Sequence, residues 1–149
     1  MKTAIVYHSS HHGNTKKLVD AIVAAHNDIT VFEAESCHPD DLSSFDLIGL
    51  ASGIYYFSFH TSILNIASSL PLRQRVFLLS TCGGNKFGMN YARKLETILS
   101  SRQAEIIGRF NCLGFNTYGF FKLFGGTAKG HPDEHDIRHA VAFYDSLNA

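Results

Sequence analysis

The sequence lacks an excess of charge of either sign, because thirteen Lys and Arg residues balance thirteen Asp and Glu residues among 149. No basic run is longer than Lys16-Lys17, so the stretch typical of nucleic-acid-binding proteins is missing. Long apolar runs are also missing: none approaches the ~18 residues of a membrane-spanning helix, and Met1-Lys2 leads directly into a predicted strand. We therefore expect no nucleic-acid partner, no membrane span and no signal peptide.

Cysteine is scarce. Cys37, Cys82 and Cys112 are odd in number and widely spaced, and no C-x-x-C pair occurs. This pattern argues against a disulfide framework and against a structural metal site, so we expect a reduced, cytoplasmic protein without a bound metal. The length suits a single domain over residues 1–149.

Apolar runs and helical patterns alternate along the chain. The helical spacing i, i+3, i+4 is clearest at Ile63, Ile66 and Ala67 and again near the C-terminus. Strand-like runs lie at about 3–7, 29–34, 46–52, 75–81 and 104–112. Alternating strands and helices predict an α/β fold in which helices cover both faces of a five-stranded, doubly wound parallel sheet, giving three layers.

A hydroxyl-rich loop connects the first predicted strand to the first helix. It fits neither G-x-x-x-x-G-K-[ST] nor G-x-G-x-x-G, which excludes a nucleotide-triphosphate loop and a dinucleotide fingerprint. A helix N-terminus with nearby hydroxyl groups can still hold a phosphate, although a simply capped helix would have similar residues. The candidate phosphate-binding residues are Ser9, Ser10, His11, His12, Gly13, Asn14 and Thr15.

This loop resembles the phosphate loop of the flavodoxin family, through Ser9, Ser10, Gly13, Asn14 and Thr15. The resemblance implies the flavodoxin-like strand order 2-1-3-4-5, with a ligand at the carboxyl ends of strands one and three. It also implies noncovalently bound FMN. FMN is preferred to FAD because the loop suits one terminal phosphate.

Two further loops match the loops of the family that contact the flavin ring. The loop after the third strand is rich in aromatic side chains, which a flat ring would cover, although each of them could instead pack in the core. The loop after the fourth strand is rich in glycine, which allows close backbone approach to a ligand or simply a turn. The resemblance implies FMN contacts at Ser52, Gly53, Ile54, Tyr55, Tyr56 and Phe57, and at Thr81, Cys82, Gly83, Gly84, Asn85 and Gly88.

The sequence signals for other kinds of functional site are weaker. Cys82 does not fit the nucleophile pattern C-x-x-x-x-x-R, because Gly88 stands in place of the arginine. The sequence also lacks the acidic pair that a receiver domain has after its first strand. His131, His135 and His139 have the spacing of one helix face, where a solvated stripe competes with a metal site.

Residues 113–131 form a long aromatic connection without clear periodicity. Such a segment fits a lid near the flavin, a docking surface for a partner, a homodimer contact or a short excursion packed on the sheet.

The resemblance predicts an FMN-binding redox protein that exchanges electrons with partner proteins. One alternative is an FMN-dependent oxidoreductase that reduces a quinone or a similar small electron acceptor. Another, from a different class, is a binding module with this fold and no flavin. No catalytic residue is expected, because the cofactor would carry the chemistry.

Overall fold

Five parallel strands form the centre of the structure, a computed structural model that describes residues 1–10, 13–84, 89–114 and 129–148. Two short 3-10 turns, Ala34–Ser36 and Pro39–Leu42, follow the second strand. In chain order the elements are β1 (Thr3–His8), α1 (Asn14–Ala25), β2 (Ile29–Glu33), β3 (Leu47–Tyr55), β4 (Ser58–Phe59), α2 (Thr61–Ser68), β5 (Arg75–Cys82), α3 (Arg93–Ser101), β6 (Glu105–Leu113) and α4 (Glu134–Leu147).

The sheet has the order β2-β1-β3-β5-β6, and β4 pairs with β3 in the antiparallel direction. Counting only the parallel strands, this is the predicted order 2-1-3-4-5, which is confirmed. The order reverses between β1 and β3, and in open α/β sheets such a reversal opens a crevice at the carboxyl ends of the strands.

Helices cover both faces of the sheet, which confirms the three predicted layers. On one face, Ile5 and Phe77 pack with residues of α1 and α4. On the other face, Ala4 and Val6 pack with residues of α2 and α3. Alternate residues of one strand therefore serve two cores, which is why the central strands are nearly continuous apolar runs.

The last helix is tied to the first strand. Asp133 caps α4: its side chain accepts a hydrogen bond from the backbone N–H of Asp136, whose carboxylate accepts from the N–H of Asp133. Near the other end of α4, the buried Tyr144 hydroxyl donates to Thr3 Oγ1 at 3.1 Å. The terminal helix thereby closes one face of the sheet over β1.

Some elements differ from the prediction. β3 extends beyond the predicted end at residue 52 to Tyr55, because its last residues pair with β4 in a hairpin. No bounds were predicted for α3, whose buried residues are only Leu95 and Leu99. The proposed lid, docking or homodimer role of residues 113–131 falls mostly on residues 115–128, which lie outside the described residues. None of the described helices is both long and apolar enough to cross a membrane.

Candidate functional site

The first candidate loop ends at an open helix N-terminus. Gly13 is the N-cap of α1 with a φ of +63°, and it has no side chain with which to cap the helix. A Cβ added at Gly13 would meet no atom of the described residues within 4 Å, and the first turn of α1 has no acidic residue. Ser9 lies against the same turn, its Oγ accepting from the N–H of Lys16 at 3.3 Å. This arrangement leaves room and positive dipole character for an anion.

Thr15 joins the first loop to the end of β5. Its side chain is buried, and its Oγ1 lies 3.1 Å from Thr81 Oγ1. Asn14 is buried beside Gly114, where an added Cβ would lie 2.8 Å from Asn14 Nδ2, and the N–H of Gly114 donates to Cys82 O. The start of α1 is therefore held against the carboxyl ends of β5 and β6.

The second candidate loop is a tight hairpin. Tyr55 pairs with Ser58, and Tyr56 and Phe57 form the turn with φ values of +49° and +64°. Two-residue turns with positive φ at both positions normally contain Asn or Gly. Here two aromatic residues occupy them, and 99 % of the Tyr56 surface and 56 % of the Phe57 surface are exposed. An exposed aromatic pair in a turn with positive φ is the kind of local conflict that marks functional sites.

Tyr91 connects this hairpin to the third candidate loop. Its ring is stacked with that of Phe57, with centroids 6.4 Å apart and 19° between planes, and its hydroxyl donates to Gly84 O at 3.3 Å. In the part of the chain that the structure describes, a Cβ at Gly84 would meet nothing within 4 Å. Sequence reasoning did not select Tyr91, although an aromatic residue just before a basic helix start was a usable signal.

Tyr55 connects the hairpin to the first loop. Its hydroxyl lies 2.7 Å from Ser10 Oγ, and its ring lies 3.2 Å from the position of a Cβ on Gly53. Ser52 is fully buried, and its Oγ accepts from the N–H of His60 at 3.0 Å. Ser10, Ser52, Gly53 and Tyr55 therefore position the loops against one another.

A pair of histidine rings packs against the Tyr55 ring. The rings of His8 and His60 are stacked 3.5 Å apart and nearly parallel, and the Tyr55 ring lies edge-on to both. His60 Nδ1 accepts from the N–H of Ser62 and caps α2. Burial lowers the pKa of His60, and the neighbouring His8 lowers it further, so the neutral ring is favoured.

His8 Nδ1 also contacts the carboxylate of Glu35. Burial is the largest single influence and raises the pKa of Glu35, but the hydrogen bond with His8, a backbone hydrogen bond and the charges of His8 and His60 together lower it below its usual value. Ligand atoms of His8, Glu35 and His60 lie within 4.8 Å of one another. In the neutral His60 ring, however, the one nitrogen lone pair already accepts the hydrogen bond that caps α2. The parallel rings of His8 and His60 also do not direct their nitrogen atoms toward a common metal position. This group fits a packing role better than a metal site.

Cys82 at the end of β5 is buried, and Asn111 Nδ2 donates to its Sγ at 3.6 Å. Burial raises the pKa of the Cys82 thiol. A protonated, buried thiol does not act as a nucleophile, in agreement with the sequence analysis.

The three C-terminal histidines do not share one helix face. His131 precedes α4, and its Nδ1 lies 2.6 Å from the Asp136 carboxylate at the helix start. His135 and His139 are exposed on α4, with ring centroids 4.0 Å apart. The proposed stripe is therefore a pair on the helix plus a separate ion pair at its beginning.

The structure thus brings the three candidate loops together at one edge of the sheet. Within the described residues, direct links run from Ser10 to Tyr55 and from Thr15 to Thr81, while Phe57 reaches the third loop through Tyr91. Four of the candidate residues lie outside the described residues: His11, His12, Asn85 and Gly88.

Comparison with known proteins agrees with the fold of this chain. A family model described as "Flavodoxin domain" matches residues 5–120. An uncharacterized protein of Methanocaldococcus jannaschii is 38 % identical over 148 residues, covering 99 % of this chain and 98 % of the relative. The structure is similar to oxidised flavodoxin 2 from Bacillus cereus, at 19 % identity and a TM-score of 0.71, over 99 % of this chain and 98 % of that one. It is also similar to a flavodoxin from the domain Archaea, at 15 % identity and a TM-score of 0.67, over the full length of both chains. The chain belongs to the flavodoxin family.

Proposed function

We propose that this protein binds FMN noncovalently and exchanges electrons with partner proteins through it. We further propose that residues 1–149 act as one domain in the cytoplasm. The observation that carries the proposal is the exposed aromatic turn Tyr56-Phe57 at the same sheet edge as the open N-terminus of α1. A bound FMN would supply the redox chemistry, and the protein would bind and orient it.

The described residues fit the two parts of this cofactor. The N-terminal turn of α1, with Gly13 at its cap and Ser9 beside it, would hold the phosphate. The space at Gly13 suits this role, because a Cβ added there would meet no atom of the described residues within 4 Å. Tyr56 and Phe57 offer the apolar surface that a flavin ring would cover, and the lack of a side chain at the exposed Gly84 would let the ring approach closely.

The remaining candidates would serve as supports. Thr15 and Thr81 would fix the phosphate loop against the third loop, because their hydroxyl groups are in contact. Ser10 and Tyr55 would fix the first loop against the hairpin in the same way. The role of these groups would be to hold the two contact surfaces at a constant separation before the cofactor binds.

Titration of the flavin-free protein with FMN and with riboflavin tests the proposal. Riboflavin lacks only the phosphate, so FMN should bind more tightly. Gly13→Ala should weaken FMN binding about tenfold, because a non-glycine residue at this φ costs about 1–2 kcal/mol, which the flavin-free loop relieves by leaving this conformation and FMN binding must restore. Riboflavin binding should be unchanged in the same variant. Tyr56→Ala should weaken both ligands equally.

Two outcomes would contradict the proposal. Protein that binds neither flavin would support the binding module without flavin. Equal loss of FMN and riboflavin in Gly13→Ala would remove the α1 N-terminus from the phosphate site. The signal is the quenching of flavin fluorescence, and reversible bleaching of the visible flavin absorption by a reductant checks that the bound ring is redox-active.

A further inference from the structure

One tyrosine connects the loop that would hold the FMN phosphate to a pair of histidines. The Tyr55 hydroxyl lies 2.7 Å from Ser10 Oγ in that loop. The Tyr55 ring lies edge-on to the rings of His8 and His60, with centroid distances of 5.6 and 5.1 Å. The two histidine rings are stacked 3.5 Å apart, with 5° between their planes. A change in either histidine therefore alters the packing of Tyr55, whose hydroxyl contacts the loop.

The hydrogen bonds of His60 require a neutral ring. Its Nδ1 atom accepts from the N–H of Ser62 at 3.2 Å, which caps α2, and lies 2.8 Å from Ser62 Oγ. A proton on Nδ1 would remove this acceptor, because both nitrogens of a protonated imidazole are donors. It would also place a cation at the N-terminus of α2, the positive end of the helix dipole. Protonation of His60 therefore costs the cap and introduces a repulsive charge at the same point.

The groups that face His60 also oppose its protonation. His8 on β1 stacks on it, and His8 Nδ1 contacts the carboxylate of Glu35 in the turn after β2. A charge on His8 is therefore balanced by Glu35, whereas the described residues form no ion pair with His60. Tyr55 on β3 also faces His60, and α2 carries no charged side chain. Burial and the neighbouring His8 hold the pKa of His60 below its usual value, so the ring gains its proton only below about pH 6.5.

We propose that His60 is a positioning residue for the FMN phosphate: its neutral ring holds Tyr55 against Ser10, and its protonation releases this contact and weakens FMN binding. The inference rests on the proposed function, in which the loop that contains Ser10 holds the phosphate. The path is short, because β1 ends at His8 directly before this loop and β3 ends at Tyr55. FMN affinity should therefore contain a part that falls on acidification and depends on His60. Riboflavin, which lacks the phosphate, should not share it.

The first test uses 15N-labelled protein without flavin. Its pH is lowered from about 7.5 to about 5 while NMR follows the His60 ring and the Ser10 amide. We expect one component of the Ser10 shift to have the same midpoint as the His60 ring. Tyr55→Phe keeps the aromatic ring beside both histidines but lacks the hydroxyl group. In this variant His60 should still titrate, while that component of the Ser10 shift disappears. Shifts caused by other histidines near the loop remain in both proteins and serve as the internal reference.

The second test measures the affinity for FMN and for riboflavin over the same pH range, by quenching of flavin fluorescence. The matched variant is His60→Asn, which keeps a helix cap that does not titrate. Between about pH 7.5 and about pH 5, the FMN dissociation constant of the parent should rise about threefold or more relative to that of His60→Asn. The FMN phosphate titrates with both proteins, so its contribution cancels in this ratio. The same ratio for riboflavin should change by less than about twofold. In a Tyr55→Phe background, His60→Asn should no longer alter the pH profile. Far-UV circular dichroism at each pH checks that the variants are folded.

Three results would overturn the inference. The Ser10 shift could keep its His60 component in Tyr55→Phe, in which case the hydroxyl contact does not transmit it. The parent and His60→Asn could have parallel pH profiles for FMN, in which case His60 does not position the phosphate. FMN and riboflavin could weaken equally on acidification relative to His60→Asn, in which case His60 acts on the hairpin as a whole. Protein that binds neither flavin contradicts the proposed function, and the NMR titration still decides whether His60 and Ser10 are coupled.

Discussion

The aromatic turn makes a sharp prediction about stability. Tyr56 is 99 % exposed, so its ring contributes almost no packing to the folded state, while its φ of +49° lies in the left-handed region. A left-handed conformation costs about 1–2 kcal/mol for an ordinary residue, and asparagine tolerates it far better. Tyr56→Asn should therefore stabilise the flavin-free protein by about 1 kcal/mol relative to Tyr56→Ala, which removes the same ring without the asparagine preference.

Urea unfolding of the flavin-free variants, followed by far-UV circular dichroism, measures this difference. With a urea dependence of about 1–3 kcal/mol/M, the midpoint of Tyr56→Asn should lie about 0.3–1 M above that of Tyr56→Ala. Both variants should lose FMN affinity to the same extent, because both lose the ring. Equal midpoints for the two variants would refute the reasoning that this turn holds backbone strain. Unequal FMN affinities would show that the backbone of the turn, and not only the ring, contacts the cofactor.

Three further predictions concern the sheet and its supports. Thr15→Val should destabilise the protein by about 1–3 kcal/mol by leaving the buried Thr81 hydroxyl without this contact, and Thr15→Val with Thr81→Val should recover most of the loss in thermal unfolding. Gly49→Ala should cost about 1–3 kcal/mol, since a Cβ there would lie 2.3 Å from the Phe77 ring; a matching loss in Gly49→Ala with Phe77→Leu would contradict this cause. His60 has a lowered pKa, so its stabilising contribution is complete above its unfolded pKa of about 6.5 and is lost as pH falls through the lower folded value. His60→Asn, which keeps a helix cap that does not titrate, should remove this part of the pH dependence, and an unchanged unfolding profile between pH about 5 and about 7 would contradict it.

The layers of the fold could be predicted because local patterns determine them. Leu47–Ala51 is a nearly continuous apolar run, and the structure buries it between two helical layers. The helix near the C-terminus repeats apolar residues at helical spacing, and it starts next to Asp133, a capping residue. These signals lie within a few residues of one another, so no knowledge of distant contacts is needed.

The interior of the candidate site could not be predicted in the same way. The rule for two-residue hairpins expects Asn or Gly, so Tyr56-Phe57 gave no signal for a turn with positive φ. The stacking of His8 on His60 joins residues that are far apart in the sequence and adjacent only because β1 pairs with β3. Tyr91 likewise becomes part of the site through its contact with Phe57, which depends on the placement of α3. Such contacts are products of the assembled sheet.

The hydrogen bond from Tyr144 to Thr3 has a consequence for synthesis on the ribosome. β1 is made first among the described elements and α4 last, yet the two are joined by this buried contact. While the nascent chain lengthens, β1, β2 and β3 can pair, but the apolar face that α4 will cover stays open to solvent. That face is vulnerable to chaperone capture and aggregation until the final helix emerges. Slowing translation shortly before codon 144 should therefore raise the demand for chaperones more than slowing it earlier in the chain.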